Sequence, residues 1–306
     1  MLTSPPAINE LYWKASDGLS IRYAQFESKT DMRGTVLLLE GRREFIEKYG
    51  ELIEEWRQRG FDVTIFDWRS QGASGRLVDN SHKSHVQSFE EYRDDVNRFY
   101  AEIVQPTQRG PLLVYAHSMG SCIALDWLQQ NKPIVAGLIL VAPMLVLPVP
   151  TWLNEATHML AKGMNYFGHT DSYIPGEHDY KAYQHPFEQN VLTHDPTRYA
   201  LITDWFAERP QLAVGGVTYG WLEAALSTID KVRLRLAEIH FPTLVLHSGA
   251  DRVLPMLELS RWTQKIPGAI HKTYPFARHD LMAEIDDIRN AAWQDIDAFV
   301  AKIFPT

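Results

Sequence analysis

Ser118, Asp251 and His279 are the side chains of this sequence whose types, order and settings could carry nucleophilic chemistry. Ser118 stands in Ala116-His117-Ser118-Met119-Gly120, after the apolar run Leu112–Tyr115 and before the helical pattern Ser121-Cys122-Ile123-Ala124-Leu125. A strand that turns sharply into a helix exposes a serine at the turn, and the tightness demands small residues around it, here Ala116 and Gly120. A serine hydroxyl attacks a carbonyl only when a base takes its proton and a carboxylate orients that base. Asp251 follows the run Thr243–Leu246, in His247-Ser248-Gly249-Ala250-Asp251, and His279 follows Ile270–Tyr274, in Ala277-Arg278-His279-Asp280. Ser, then Asp, then His, each past the carboxyl end of a strand run, is the chain order this chemistry takes on an open α/β sheet. Each residue alone has a plainer reading: a helix N-cap, a turn aspartate, one histidine among twelve. Their coincidence favours catalysis.

The surrounding pattern supplies the elements that must hold these residues. Leu11-Tyr12-Trp13 and Leu19–Tyr23 flank Asp17-Gly18 and predict a hairpin. Short apolar runs then alternate with amphipathic stretches: Thr35–Leu39, Glu44–Arg59, Val63–Phe66, Phe89–Val104, Leu112–Tyr115, Ser118–Gln130 and Gly137–Val141. Continuous apolar runs between helices mark parallel strands covered on both faces, so the expected class is α/β, a mostly parallel sheet with helices on both sides. The alternation stops near Pro143 and resumes with Thr243–Leu246 and Ile270–Tyr274. The expected organisation is a first core part over 1–142, a helical lid over 143–239 and a second core part over 240–306. Within the lid, Trp152, Leu153, Ala156, Met159, Leu160, Gly163, Met164 and Phe167 recur at helical spacing and form an apolar stripe. Asp195-Pro196 reads as a helix start.

These motifs resemble those of α/β-hydrolases of the lysophospholipase and monoacylglycerol lipase group, also grouped with the serine aminopeptidase domain. The likeness spans nearly the whole chain. Besides the three catalytic settings it rests on Gly41-Arg42-Arg43-Glu44, Asp67-Trp68-Arg69-Ser70-Gln71-Gly72, Thr193-His194-Asp195-Pro196-Thr197-Arg198 and Gly215-Gly216-Val217-Thr218-Tyr219-Gly220-Trp221. It implies Ser118, Asp251 and His279 as the catalytic set, and the backbone N–H groups of Arg42 and Met119 as an oxyanion hole. Glu40 stands where such enzymes usually carry His before Gly41, and Ser70 where they carry Gly. A backbone oxyanion hole survives such a side-chain change. Asp67 and Arg69 read as a structural charge pair in a buried turn.

The implied activity is a serine hydrolase cleaving the carboxylic ester of a single-acyl lipid, a lysophospholipid or a monoacylglycerol, through an acyl-enzyme. A small-ester carboxylesterase, an aminopeptidase-like hydrolase and a ligand-binding pseudo-enzyme stand as alternatives. Arg43, Trp152, Met159 and Met164 are candidate substrate contacts, with the lid stripe lining an acyl channel or resting on a membrane surface. A net charge of −8 argues against a nucleic-acid partner. One cysteine, Cys122, excludes an internal disulfide and a cysteine-based zinc cage. His82 and His85 have no helpful ligand spacing around them, so no metal is expected, and no dinucleotide or phosphate-loop fingerprint implies a cofactor. The first residues show no signal-peptide pattern and no apolar run reaches a membrane-spanning length, so the expected setting is the cytoplasm, with transient contact at the inner membrane face. Acyl length, head group and oligomeric state stay open.

Overall fold

The computed structural model describes residues 6–149, 153–181 and 186–304. Eight strands form one sheet in the order β1-β2-β4-β3-β5-β6-β7-β8. β1 (Leu11–Lys14) and β2 (Ser20–Phe26) form the antiparallel hairpin, joined through Gly18 at φ 83°. β2 runs antiparallel to β4 (Phe61–Phe66). From there β4, β3 (Gly34–Leu39), β5 (Leu112–His117), β6 (Gly137–Val141), β7 (Thr243–Ser248) and β8 (Ile270–Tyr274) are parallel. The residues of β3, β5, β6 and β7 are all buried, which is why their sequences are apolar without alternation.

Helices cover both faces. On one side α1 (Gly50–Gln58) and the helix Asp286–Ile303 bury Trp56, Trp293, Ile296 and Phe299 in a core with Val36, Leu38 and Leu113. The stretch before α1 does not start at Glu44. A short 3-10 turn, Ile46–Tyr49, comes first, and Glu44 lies outside any helix. On the other side lie α2 (Phe89–Phe99), which continues through a wider turn, Tyr100–Val104, into the short α3 (Gln105–Thr107), and α4 (Met119–Asn131). α2 opens with a capping box between Ser88 and Glu91.

The segment between β6 and β7 carries α5 (Asn154–Tyr166), α6 (Pro196–Glu208) and α7 (Tyr219–Leu234). Asp195 caps α6 through its side chain, with Pro196 in the first turn. The segment is not a single outer layer. α7 buries Trp221, Ala224, Ala225, Ile229 and Val232 in the same core as Met119, Cys122 and Trp127. α5 turns Ala161 and the half-buried Met164 inward, while Met159 and Phe167 are 74% and 75% exposed. The apolar stripe read from the sequence therefore faces largely outward on this helix, and the smaller Ala161 marks the packed face. No helix among the described residues is long and apolar enough to cross a membrane.

Candidate active site

The turn between β5 and α4 presents Ser118. Its backbone is at φ 48°, ψ −116°, a conformation that costs an L-residue on the order of 1–3 kcal/mol and persists only when its surroundings fix it. Three things fix it here. Ser118 N–H donates to Val141 C=O at 2.9 Å, and Ser118 C=O accepts from Ser121 and Met144 N–H at 3.0 Å each. Ser121 Oγ closes back on Ala116 C=O at 2.8 Å. Gly120 lies so close to the end of β3 that a Cβ there would stand 2.4 Å from the carbonyl oxygens of both Leu39 and Glu40. The helix start thus sits directly against the loop that leaves β3.

His279 and Asp251 arrive from the ends of β8 and β7. His279 Nε2 is 2.9 Å from Ser118 Oγ, and Nδ1 is 2.7 Å from Asp251 Oδ2. A carboxylate only accepts, so Nδ1 carries the proton and Nε2 is free to accept from the serine hydroxyl. Asp251 Oδ1 also accepts from the N–H groups of Val253 at 2.7 Å and Leu254 at 3.0 Å. Burial would raise the Asp251 pKa, but His279 and these two amides outweigh it and hold the carboxyl below its ordinary value. The side chains of His279 and Asp251 are 6% and 2% exposed, so bulk water does little to loosen the pair.

Arg42 and Met119 lie on the two loops pressed together at Gly120. Among the described residues neither backbone N–H has an acceptor, as an oxyanion hole requires before substrate enters. The loop itself is pinned from three sides. Gly41 N–H donates to the Glu44 carboxylate, Arg43 N–H donates to Gln71 Oε1 at 2.5 Å, and Gln71 Nε2 lies 3.9 Å from Met119 Sδ. Arg43 holds φ 65°, a left-handed conformation uncommon for arginine.

Beneath the loop lies a charged cluster that sequence reasoning missed. Glu44, only 7% exposed, also accepts from Lys48 Nζ and Tyr49 Oη, and His117 Nδ1 is 3.2 Å away. Lys48 in turn pairs with Asp280. The other nitrogen of His117 faces the carbonyl oxygen of His279 at 3.4 Å, so both ring nitrogens meet acceptors. Burial opposes a charge on His117, but the Glu44 carboxylate outweighs it and the pKa is raised. Burial also opposes ionisation of Glu44, yet Lys48 and His117 hold its carboxyl well below the usual value. The cluster ties together the residue before Ser118, the residue after His279 and the glycine before Arg42. The spacing of Glu44 and Lys48, four apart, was its one local signal.

Glu40 is fully buried, and neither carboxyl oxygen has a hydrogen-bond partner among the described residues. Burial, followed by the nearby Asp67 and Glu44, pushes its pKa well above the ordinary value. Its ionisation is opposed, at a position where the resemblance anticipates an imidazole. The structure corrects one pairing. Asp67 and Arg69 do not bond each other: Arg22 bonds Asp67 at 2.7 Å, and Arg69 forks onto Asp95 at 2.6 and 2.8 Å. Asp67 also accepts from Ile46 and Ala73 N–H.

The candidate substrate contacts divide. Arg43 is half-buried beside the loop and Met164 packs partly against the main core, but Met159 points to solvent. Met159 therefore does not line an enclosed channel, because the packed face of α5 runs along Ala161 instead. Trp152 lies outside the described residues. No group of His, Cys, Asp and Glu that could hold a metal occurs among the described residues.

Residues 30–286 match the family described as Serine aminopeptidase, S33. The chain is 31% identical over 300 residues to Lysophospholipase L2 of Escherichia coli (strain K12), covering 95% of this chain and 87% of that protein. It is 24% identical over 310 residues to a monoglyceride lipase of Saccharomyces cerevisiae, covering 96% of this chain and 94% of that one. Among solved structures, a monoglyceride lipase from Saccharomyces cerevisiae superposes with a TM-score of 0.73 at 20% identity, over 99% of this chain and 97% of that chain. A carboxyl esterase from Bacillus coagulans superposes with a TM-score of 0.74 at 18% identity, over 98% and 99%. At these identities the superpositions speak for the α/β-hydrolase fold alone.

Proposed function

Since the chain belongs to the serine aminopeptidase S33 family of α/β-hydrolases, we propose that it cleaves the carboxylic ester of a single-acyl lipid through an acyl-enzyme. The observation that carries the reading is the hydrogen-bonded line from Ser118 Oγ through His279 to Asp251, at 2.9 and 2.7 Å. Ser118 Oγ attacks the ester carbonyl carbon while His279 Nε2 takes its proton. The carbonyl oxygen becomes an oxyanion and receives the N–H groups of Arg42 and Met119. The C–O bond to the alcohol breaks, and His279 returns the proton to the departing alkoxide. Water then attacks the acyl-serine by the same route, with His279 as base, and the fatty acid leaves. Asp251 keeps the imidazole in its working tautomer and balances the imidazolium formed in each step.

The loop chemistry supports an ester over a peptide with a free amino terminus. An aminopeptidase needs an acidic subsite for an ammonium group, whereas the loop that carries Arg42 N–H bears two guanidiniums, Arg42 and Arg43, and the carboxylate of its Glu44 is already paired with Lys48. The names of the relatives, a lysophospholipase and a monoglyceride lipase, support a single acyl chain. We assign the exposed Met159, Leu160, Tyr166 and Phe167 to transient contact with the cytoplasmic face of the membrane from which such a lipid is drawn.

The test is Ser118→Ala, assayed on lysophosphatidylcholine and on a monoacylglycerol of equal chain length, with fluorophosphonate labelling alongside. The variant loses labelling and about 10⁴-fold or more in kcat while remaining folded. Retention of more than about a tenth of the activity removes Ser118 as the nucleophile.

A further inference from the structure

The buried arginines of the described residues are surrounded by acceptors. Arg22 is held by Glu47 and Asp67, Arg69 by Asp95 and Glu91, Arg198 by Glu51 and Asp195, and Arg289 by Glu55. Arg76 has no carboxylate, but four backbone carbonyls meet its guanidinium. The half-buried Arg33 and Arg278 meet one backbone carbonyl each, of Phe304 and Thr193, and stand apart from one another, whereas Arg42 and Arg43 are an adjacent half-buried pair. Among the described residues neither has a carboxylate within ion-pair distance. Arg42 Nη1 donates once, to Gly215 C=O at 3.2 Å, and its guanidinium lies 5.6 Å from the Trp221 ring. The Arg43 guanidinium lies 5.9 Å from the Tyr180 ring and has no hydrogen-bond acceptor among the described residues. Each guanidinium carries five N–H donors in a fork suited to a tetrahedral oxyanion. Two adjacent, half-buried forks with one acceptor between them are an unsatisfied arrangement, and buried cations of this kind are expensive unless something pairs with them.

Their position narrows what that partner is. They are consecutive residues on the loop that carries Arg42 N–H. Arg43 N–H and Met119 Sδ contact opposite ends of the same Gln71 side chain, so the pair lies one side chain from the Ser118 turn. Trp221 and Gly215 belong to the segment between β6 and β7, so the guanidiniums occupy the seam between that segment and the sheet. Arg43 is held in a left-handed backbone conformation there, with its N–H fixed by Gln71. The carboxylate of Glu177 acts on both only from beyond ion-pair distance. Burial, reinforced by Arg43, pushes Arg42 down to about 10, which leaves the cation in place at neutral pH.

We propose that Arg42 and Arg43 form an anion subsite for the phosphodiester of a single-chain phospholipid, positioned to hold the head group while Ser118 attacks the acyl ester a few bonds away. The inference rests on the ester-hydrolase reading above and adds to it the head-group chemistry. A monoacylglycerol offers the same ester and no anion, so it leaves both forks unsatisfied.

The experiment compares wild type, Arg43→Gln and Arg43→Lys on lysophosphatidylcholine, lysophosphatidylglycerol and monoacylglycerol of one acyl length. Arg43→Gln lowers the kcat/KM ratio of each lysophospholipid over the monoacylglycerol at least tenfold, mainly through KM. Arg43→Lys keeps the charge but not the fork and falls between. Both lysophospholipids respond alike, because the phosphate and not the choline is recognised. A circular dichroism spectrum and a Tm matching wild type show that the variant is folded. A ratio that stays within twofold of wild type overturns the subsite, whether the individual activities fall or not. If wild type hydrolyses both lipid classes and only the ratio fails to move, the subsite alone is lost. If wild type hydrolyses neither lipid and only short soluble esters, the ester-lipid reading falls and the subsite with it.

Discussion

Replacing Glu44 by Gln keeps the shape of the side chain and removes its charge, which isolates what the buried cluster contributes. In the wild type the carboxylate accepts from Gly41 N–H, Lys48 Nζ and Tyr49 Oη and lies 3.2 Å from His117 Nδ1. The amide offers one acceptor and turns its other end into a donor, against neighbours that are themselves donors. Removing one partner of a buried ion pair costs about 3–5 kcal/mol. Lys48 keeps Asp280, so the expected loss is about 2–3 kcal/mol. For a chain of 306 residues that lowers Tm by roughly 3–5 °C, read by tryptophan fluorescence at pH 7. The pH dependence gives a second check. The Glu44 pKa is depressed in the folded state, so its contribution is present above the unfolded value of about 4.3 and is lost as pH falls through the folded one. Wild type and variant should therefore differ at pH 7 and draw together in acid. Because Gly41 precedes Arg42, kcat should also fall more than KM changes. A Tm within about 1 °C of wild type at pH 7, or a gap that stays constant into acid, would refute the account of Glu44 as the buried anion of the cluster.

His279→Ala combined with Ser118→Ala should be no slower than either single variant, since both remove the same step; additive losses in single-turnover assays would separate the two residues. Asp251→Asn should lower kcat by about 10³–10⁴ with little change in Tm, because the amide disturbs the tautomer of His279; a loss below tenfold would remove Asp251 from its orienting role. Glu40→Gln should stabilise the protein at neutral pH. The Glu40 pKa is raised in the folded state, so the wild type loses stability as pH rises from about 4.3 toward that value, by up to about 1.4 kcal/mol per pH unit. Urea unfolding at pH 4, 6 and 8 should show the Gln variant gaining on wild type as pH rises, and a gap independent of pH would show that Glu40 does not titrate in that range.

The parallel part of the sheet was legible because β3, β5, β6 and β7 carry unbroken buried apolar runs, Val36–Leu39, Leu112–Ala116, Leu138–Val141 and Leu244–Leu246. The hairpin was legible from Asp17-Gly18, since few other dipeptides accept the positive φ its turn needs. Ser118, Asp251 and His279 could be picked out because each follows a strand run, and the sheet brings those three strand ends together across 161 positions of chain. What failed to show was everything set by contacts between distant side chains. Asp67 bonds Arg22, 45 residues away, and not the neighbouring Arg69. The apolar spacing in α5 predicted a face but not its direction: Met159 and Leu160 of that stripe are exposed, Met164 of the same stripe is half-buried, and Ala161, outside it, is packed. Only the approach of α7 decides between them. Likewise, α7 itself reads as part of an outer segment in sequence, yet Trp221 and Val232 belong to the main core.

The charges around the Arg42 loop follow one electrostatic logic. An oxyanion forming at the N–H groups of Arg42 and Met119 would be opposed by any ionised carboxylate close by and uncompensated. Glu44 is ionised but meets Lys48, Tyr49 and the Gly41 amide, and His117 lies against it, so its field is largely neutralised within the cluster. Among the described residues Glu40 has no such partners, and its burial raises its pKa and so opposes a charge there instead. Arg42 and Arg43 then remain the unbalanced charges of the loop, both positive, on the residues nearest the place where negative charge develops. The same sign that would favour the transition state also suits an anionic head group held beside it, and disfavours a free ammonium.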